Sequence, residues 1–169
     1  MQQDKRIGGL SALFSSAGNK KDKAVKGVDM ALPKHLELQG MEVGRLGQLV
    51  RQQAGEGKYA EALATAKERL SLSEKTYGME HILTATCIND VATFVQAYGQ
   101  FDEAETLFER ASRLQRKLLG DCHPHSIATL QNLVSLYGAK GDVSKKEGME
   151  YLVKALQAQA QAQTGAGAK

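Results

Sequence analysis

The stretch GQFDEAETLFERASRLQRKLLGDCHPHSIATLQNLVSLY, Gly99–Tyr137, decides the fold. It carries little overt chemistry, yet its spacing is too regular for an isolated helical run. Displaced by 42 residues, GKYAEALATAKERLSLSEKTYGMEH (Gly57–His81) falls on GQFDEAETLFERASRLQRKLLGDCH (Gly99–His123). Gly57, Glu61, Ala62, Leu72, Lys75, Gly78 and His81 meet Gly99, Glu103, Ala104, Leu114, Lys117, Gly120 and His123, and a third copy opens at Gly141. A fixed period of this size is the mark of stacked supersecondary units.

Within each unit the apolar residues recur at helical steps. Ile88, Val91, Ala92 and Val95 share one face, as do Leu130, Leu133, Val134 and Tyr137. Ala104, Leu107, Phe108, Ala111 and Leu114 form the stripe of a second helix. The glycine between the two stands where a left-handed residue ends a helix, and Pro124 where the next begins. Each unit therefore reads as two antiparallel helices, with units spanning about 40–78, 83–120 and 125–163. A helix pair cannot cover its own apolar faces, so about three must stack for stability. Composition agrees: Trp is absent, Pro occurs twice, and good helix formers dominate the middle of the chain.

The residues resemble the tetratricopeptide repeat, in the long 42-residue form of kinesin light chains. The signature small and apolar positions of the middle unit are Ala92, Phe101, Ala104, Phe108 and Ala111. The first unit departs from the pattern, with Ala66 at the aromatic position and Arg69 at a small one. The third has Lys146 and Glu150 where Ala and an aromatic are usual, although Met149, Leu152, Val153 and Leu156 still make one apolar stripe. The resemblance covers about residues 40–160 and implies an all-α, short right-handed helical solenoid of about three helix pairs. Sustained heptads are absent, so the long coiled coil that precedes the repeats of a kinesin light chain is not expected here.

In that family the first helix of each unit lines a concave surface that grips other proteins. The lining positions are then Gly44, Gly47 and Arg51, followed by Thr86, Asn89, Thr93 and Gln96, then Ala128, Gln131 and Ser135. Amide side chains each offer a donor and an acceptor, which suits the backbone of an extended peptide. Members that clamp acidic chaperone tails use several Lys and Arg here. Only Arg51 remains, which argues against that ligand.

Other candidate chemistry gives way to structural readings. DCHPH (Asp121–His125) gathers Cys122, His123 and His125, but zinc would want a second pair of ligands, so the segment reads as an interhelix turn and no metal is expected. Cys87 falls among Ile88 and Val91 and reads as a packed side chain. No phosphate loop, nucleophile elbow or paired carboxylates stand out, so neither catalysis nor a cofactor is expected. Arg110, Arg113, Arg116 and Lys117 read as a solvated outer face.

The net charge of +3 is unevenly placed. Residues 39–163 hold 14 basic and 15 acidic residues, so the repeats carry no basic face for nucleic acid. The excess lies in an N-terminal arm, 1–38. There Ile7, Leu10, Leu13 and Phe14 form an amphipathic pattern for a short helix over 4–17, capped by Asp4, that could anchor a partner. SSAGNKKDKAVKG after it reads as linker, and 164–169 as a flexible tail. No apolar run is long enough to span a bilayer. Two cysteines outside a disulfide framework favour an intracellular protein, cytoplasmic or cytoskeletal, and the basic arm leaves an organellar address open. The expectation is a non-catalytic interaction module, foremost a scaffold subunit within a larger assembly. The alternatives are a free adaptor that takes an extended peptide and a silent accessory subunit of an enzyme complex.

Overall fold

The computed structural model describes residues 34–165, and over that span the chain forms six α-helices joined by short turns. They are α1 (Lys34–Gly55), α2 (Tyr59–Tyr77), α3 (Ile82–Ala97), α4 (Phe101–Leu119), α5 (Pro124–Lys140) and α6 (Val143–Gly165). Each packs on the helix before it, giving the pairs α1–α2, α3–α4 and α5–α6 stacked in chain order. The all-α architecture of three helix pairs is as the repeat implies.

Two boundaries differ from the sequence reading. The first helix opens at Lys34, so residues 34–38 belong to it rather than to the arm. The long second helix supplies a surface for these extra turns: a Cβ on Gly40 would lie 2.7 Å from the Tyr77 hydroxyl, and Thr76 Oγ1 reaches Gln39 Oε1 at 3.5 Å. The last helix runs to Gly165, because its Ala and Gln residues are good helix formers. Segment 4–17, with Ile7, Leu10, Leu13 and Phe14, lies outside the described residues, as do residues 166–169.

The 42-residue period persists down to single atoms. Gly57, Gly99 and Gly141, each following the first helix of a unit, all have φ near +75°, a conformation that only glycine adopts without strain. Between units, Thr84 Oγ1 donates to the Gly78 carbonyl at 2.8 Å, and Ser126 Oγ donates to the Gly120 carbonyl at 2.8 Å. His81 Nδ1 accepts the Leu83 N–H at 3.2 Å, and His123 Nδ1 accepts the His125 N–H at 3.2 Å. These histidines cap α3 and α5 at their N-termini. Burial lowers the pKa of His81, which favours the neutral acceptor form.

The interior is continuous from Val50 of α1, through Ala66, Val91, Val95, Phe108 and Leu133, to Val153 and Leu156 of α6. Phe108 and Ala111 of α4 are wholly buried, and so is Leu136 of α5. Burial of one such large side chain contributes about 1.5–3 kcal/mol, so this shared interior is the main source of stability.

A polar cluster fastens the middle unit to the last. Glu105 of α4 takes Lys140 Nζ at 2.6 Å, Lys145 Nζ at 2.9 Å and the Tyr137 hydroxyl at 3.1 Å. Lys140 also reaches Asp102 at 2.7 Å. The two lysines, with Tyr137, hold the Glu105 carboxyl down to a pKa of about 2, from an ordinary 4.5. A depressed carboxylate pKa stabilises the fold above its unfolded-state value, and that contribution fades as pH falls toward the folded-state value. Glu105→Gln is therefore expected to lower unfolding free energy by about 1–2 kcal/mol at neutral pH, the lysines being partly solvated. In urea titrations the gap from the parent chain should narrow steadily as pH drops below about 4.5. A gap that stays constant with pH would show that the carboxylate charge is irrelevant to the joint.

Candidate functional site

Helices α1, α3 and α5 lie along one side of the stack, and contacts between them set the chemistry of the face they share. Asn89 of α3 is the centre. Its Oδ1 accepts from Asn132 Nδ2 at 3.0 Å and from Thr129 Oγ1 at 3.2 Å, both on α5. Asn89 Nδ2 and Asn132 Oδ1 have no hydrogen-bond partner among the described residues, so donor and acceptor capacity remains on both amides. Gln96 Nε2 meets Ser135 Oγ at 3.5 Å two turns further along. Gln131 and Arg51 are exposed, and neither has a hydrogen-bond partner among the described residues.

The other expected lining residues are engaged locally or contribute little. Thr86 Oγ1 donates to the Ile82 carbonyl and Thr93 Oγ1 to the Asn89 carbonyl, each at 3.0 Å within α3. Gly44 and Ala128 are exposed and present no polar side chain. Gly47 does not line the face at all. It is buried beneath Arg69.

Arg69 is the side chain whose role sequence reasoning missed. It is only 8 % exposed, although it stands in α2 at a position where the middle unit has Ala111. Its Nε donates to the Val43 carbonyl at 3.1 Å, and its NH1 to Asp90 Oδ2 at 2.6 Å. The guanidinium lies over Gly47, where an added Cβ would approach Cζ to 2.8 Å. Three departures from the repeat thus form one arrangement. Ala66 vacates the volume that Phe108 fills in the next unit, Arg69 enters one turn away, and Gly47 makes room for it. Asp90, on the α3 face beside Asn89, supplies the counter-charge. Burial pushes the Asp90 carboxyl above its usual range, while the charges of Arg69 and then Arg51 pull it part of the way back. The signal in the sequence was the coincidence of a missing aromatic, a misplaced arginine and a glycine in register.

The basic residues of α4 are ion-paired within the fold. Arg110 bonds Glu74 at 2.9 Å and Lys117 bonds Glu80 at 2.7 Å, both joining α4 to the previous unit. Arg116 bonds Asp121 at 2.6 Å, and Arg113 lies 3.7 Å from Glu109. The basic patch is thus an ion-paired outer surface. Among the described residues no three His, Cys, Asp or Glu side chains gather as a metal site, and no helix is long and apolar enough to cross a membrane. Cys87 is buried and Cys122 half-buried, both as free thiols.

The family model for the tetratricopeptide repeat matches residues 46–117 and 87–145, together more than half of the chain. The chain belongs to the tetratricopeptide repeat family. Human tetratricopeptide repeat protein 19, mitochondrial, is 36% identical over 70 residues, 41% of this chain and 18% of that protein. A putative kinesin light chain from Podosopora anserina with nearly identical TPR-like repeats superposes with a TM-score of 0.61 at 29% identity, over 76% of this chain and 58% of that one. BtubC (BKLC) from P. vanneervenii shares the fold, with a TM-score of 0.68 at 19% identity, over 92% of this chain and 56% of that one. The chain thus spans about a fifth of the curated relative's length and less than three fifths of these solved chains.

Two glycines of α1 separate this account from simple helix propensity. Gly44→Ala meets nothing within 4 Å and is expected to stabilise the protein by about 0.5–1 kcal/mol. Gly47→Ala gains the same propensity but must displace the ion-paired guanidinium, and a net loss of about 1–3 kcal/mol is expected in denaturant unfolding. Equal stabilisation by both would contradict the packing described for Arg69.

Proposed function

We propose that this chain is a non-catalytic protein-interaction module whose concave face, formed by α1, α3 and α5, holds an extended segment of a partner protein within a larger assembly. The observation that carries this reading is the contrast between the two sides of the stack. On α4, the four basic residues Arg110, Arg113, Arg116 and Lys117 are matched by carboxylates of the fold. On the α1/α3/α5 side, Asn89 Nδ2, Asn132 Oδ1, Gln131 and Arg51 keep hydrogen-bonding capacity that the fold does not use. Amide donors and acceptors alternating along a groove match a peptide backbone, and one arginine adds a preference for a carboxylate or carbonyl oxygen. Each neutral bond adds about 0.5–1.5 kcal/mol, so several in register give useful but modest affinity.

Membership of a repeat family whose modules generally mediate protein–protein contact supports the same reading. The free thiols of Cys87 and Cys122 agree with an intracellular setting. An adaptor that acts free of any assembly would use the same groove.

Full-length chain, expressed in its own cells with an affinity tag, should co-purify with a stoichiometric partner. Gln131→Ala removes no hydrogen bond or ion pair among the described residues and should weaken that complex about 3–10-fold at unchanged melting temperature; Arg51→Ala should weaken it similarly, with a small fall in melting temperature because its charge also acts on Asp90. Arg113→Ala on the outer surface should leave it unaffected. Capture insensitive to both groove variants would refute the groove assignment, and substrate turnover by the purified chain would refute the non-catalytic reading.

A further inference from the structure

Behind the Asn89–Asn132 pair runs a chain of hydrogen bonds with one hydrogen too few. Thr129 of α5 is 2 % exposed and Gln115 of α4 is 3 % exposed, so neither can touch a partner. Thr129 Oγ1 lies 2.5 Å from Gln115 Oε1 and 3.2 Å from Asn89 Oδ1. Both of those carbonyl oxygens can only accept, and a hydroxyl carries a single hydrogen. It cannot serve both. The positions equivalent to Gln115, Thr129, Asn89 and Asn132 at the first joint are Ser73, Cys87, Gly47 and Asp90, so this chain is peculiar to the second joint.

Distance decides where the hydrogen goes. O–H···O bonds run about 2.5–3.0 Å and N–H···O bonds about 2.7–3.2 Å. The Gln115 contact fits only O–H···O, so that oxygen takes the hydrogen. The Asn89 contact is long for O–H···O and ordinary for N–H···O. A half-turn of the Asn89 amide satisfies it. Nδ2 then donates one hydrogen to Thr129 Oγ1 and the other to Asn132 Oδ1, with Asn132 turning in step. The two ends of an amide are nearly the same size, so the packing admits both settings. They differ by one neutral hydrogen bond, which keeps their populations within about tenfold of each other.

We propose that Gln115 and Thr129 are positioning residues that keep the Asn89–Asn132 pair reversible, so that the groove reads an extended peptide segment running in either direction. For its ligand this rests on the groove reading above. In one setting α3 offers a donor, Asn89 Nδ2, and α5 an acceptor, Asn132 Oδ1. In the other, α3 offers Asn89 Oδ1 as acceptor and α5 offers Asn132 Nδ2 as donor. A residue of an extended strand points its N–H and its C=O to the same side, the N–H coming first along the chain. The first setting therefore matches a segment running from α5 to α3, and the second a segment running from α3 to α5.

Side-chain amide hydrogen exchange, followed by NMR on the isotope-labelled full-length chain without a partner, reads both amides at once. Gln115→Met removes the competing acceptor and gives the Thr129 hydrogen to Asn89 Oδ1, which favours the setting with Asn89 Nδ2 outward. Exchange at the Asn89 amide should then quicken about threefold or more while exchange at the Asn132 amide slows, because each Nδ2 faces water when the other faces inward. Made in a Thr129→Val chain, the same change should shift neither amide. In a Thr129→Ser chain the reciprocal response should return. Gln115→Leu repeats the test with a side chain of different shape. Amides that respond in the same direction, or not at all, overturn the proposal, and so does a reciprocal response that survives Thr129→Val. The groove reading fails separately: a groove that binds nothing leaves the reciprocal exchange intact, and lost reciprocity leaves the effects of Gln131→Ala and Arg51→Ala on partner capture intact.

Discussion

Every feature of this protein follows from the inability of one helix pair to bury both flanks of its second helix. In α4, one flank is closed by α3 and the other by α5, and Phe108, Ala111 and Gln115 are sealed between them. The contact that closes the second flank belongs to the next unit, so stability passes along the chain by neighbours. Helix α6 meets α5 with Val153 and Leu156, which extends the shared interior into the third pair. Groove lining and outer ion pairs are two consequences of one stacking rule.

The first unit shows how far that rule tolerates substitution. Interiors are close-packed, so removing an aromatic at residue 66 demands a replacement volume nearby. Arg69, one turn away, brings a charge into a site that excludes most water, and a buried charge must be paired. The Val43 carbonyl and Asp90 do this from two other helices, at 3.1 and 2.6 Å. The result couples α1, α2 and α3 through one guanidinium. It also fixes Asp90 next to Asn89, so the packing of the first unit influences the polarity of the face shared by α1, α3 and α5.

Much of the fold was legible because periodicity is a local, repeated signal. The glycines at 57, 99 and 141 and the stripes around Val91 and Leu133 each recur, so chance agreement is implausible. The outer basic residues were also legible, since alternating charge on a helix usually stays solvated. What the sequence hid lies across the repeat rather than along it. Arg69 reaches Asp90 over 21 positions and Val43 over 26, and no period carries that information. The groove was readable by register but not by chemistry: whether Asn89 faces outward with both ends of its amide, or only with Nδ2, depends on Thr129 and Asn132 of another unit. The first boundary was missed because residues 34–38 copy no other unit and form helix only against the end of α2.

Amide hydrogen exchange on the dilute full-length chain measures the neighbour rule most directly. The slowest amides should lie in α3, α4 and α5, which have a unit on either side, with protection falling toward α1 and again along α6. Equal protection across all six helices, or a maximum in α1 and α6, would mean a compact bundle that closes on itself, and stacking would no longer explain the groove.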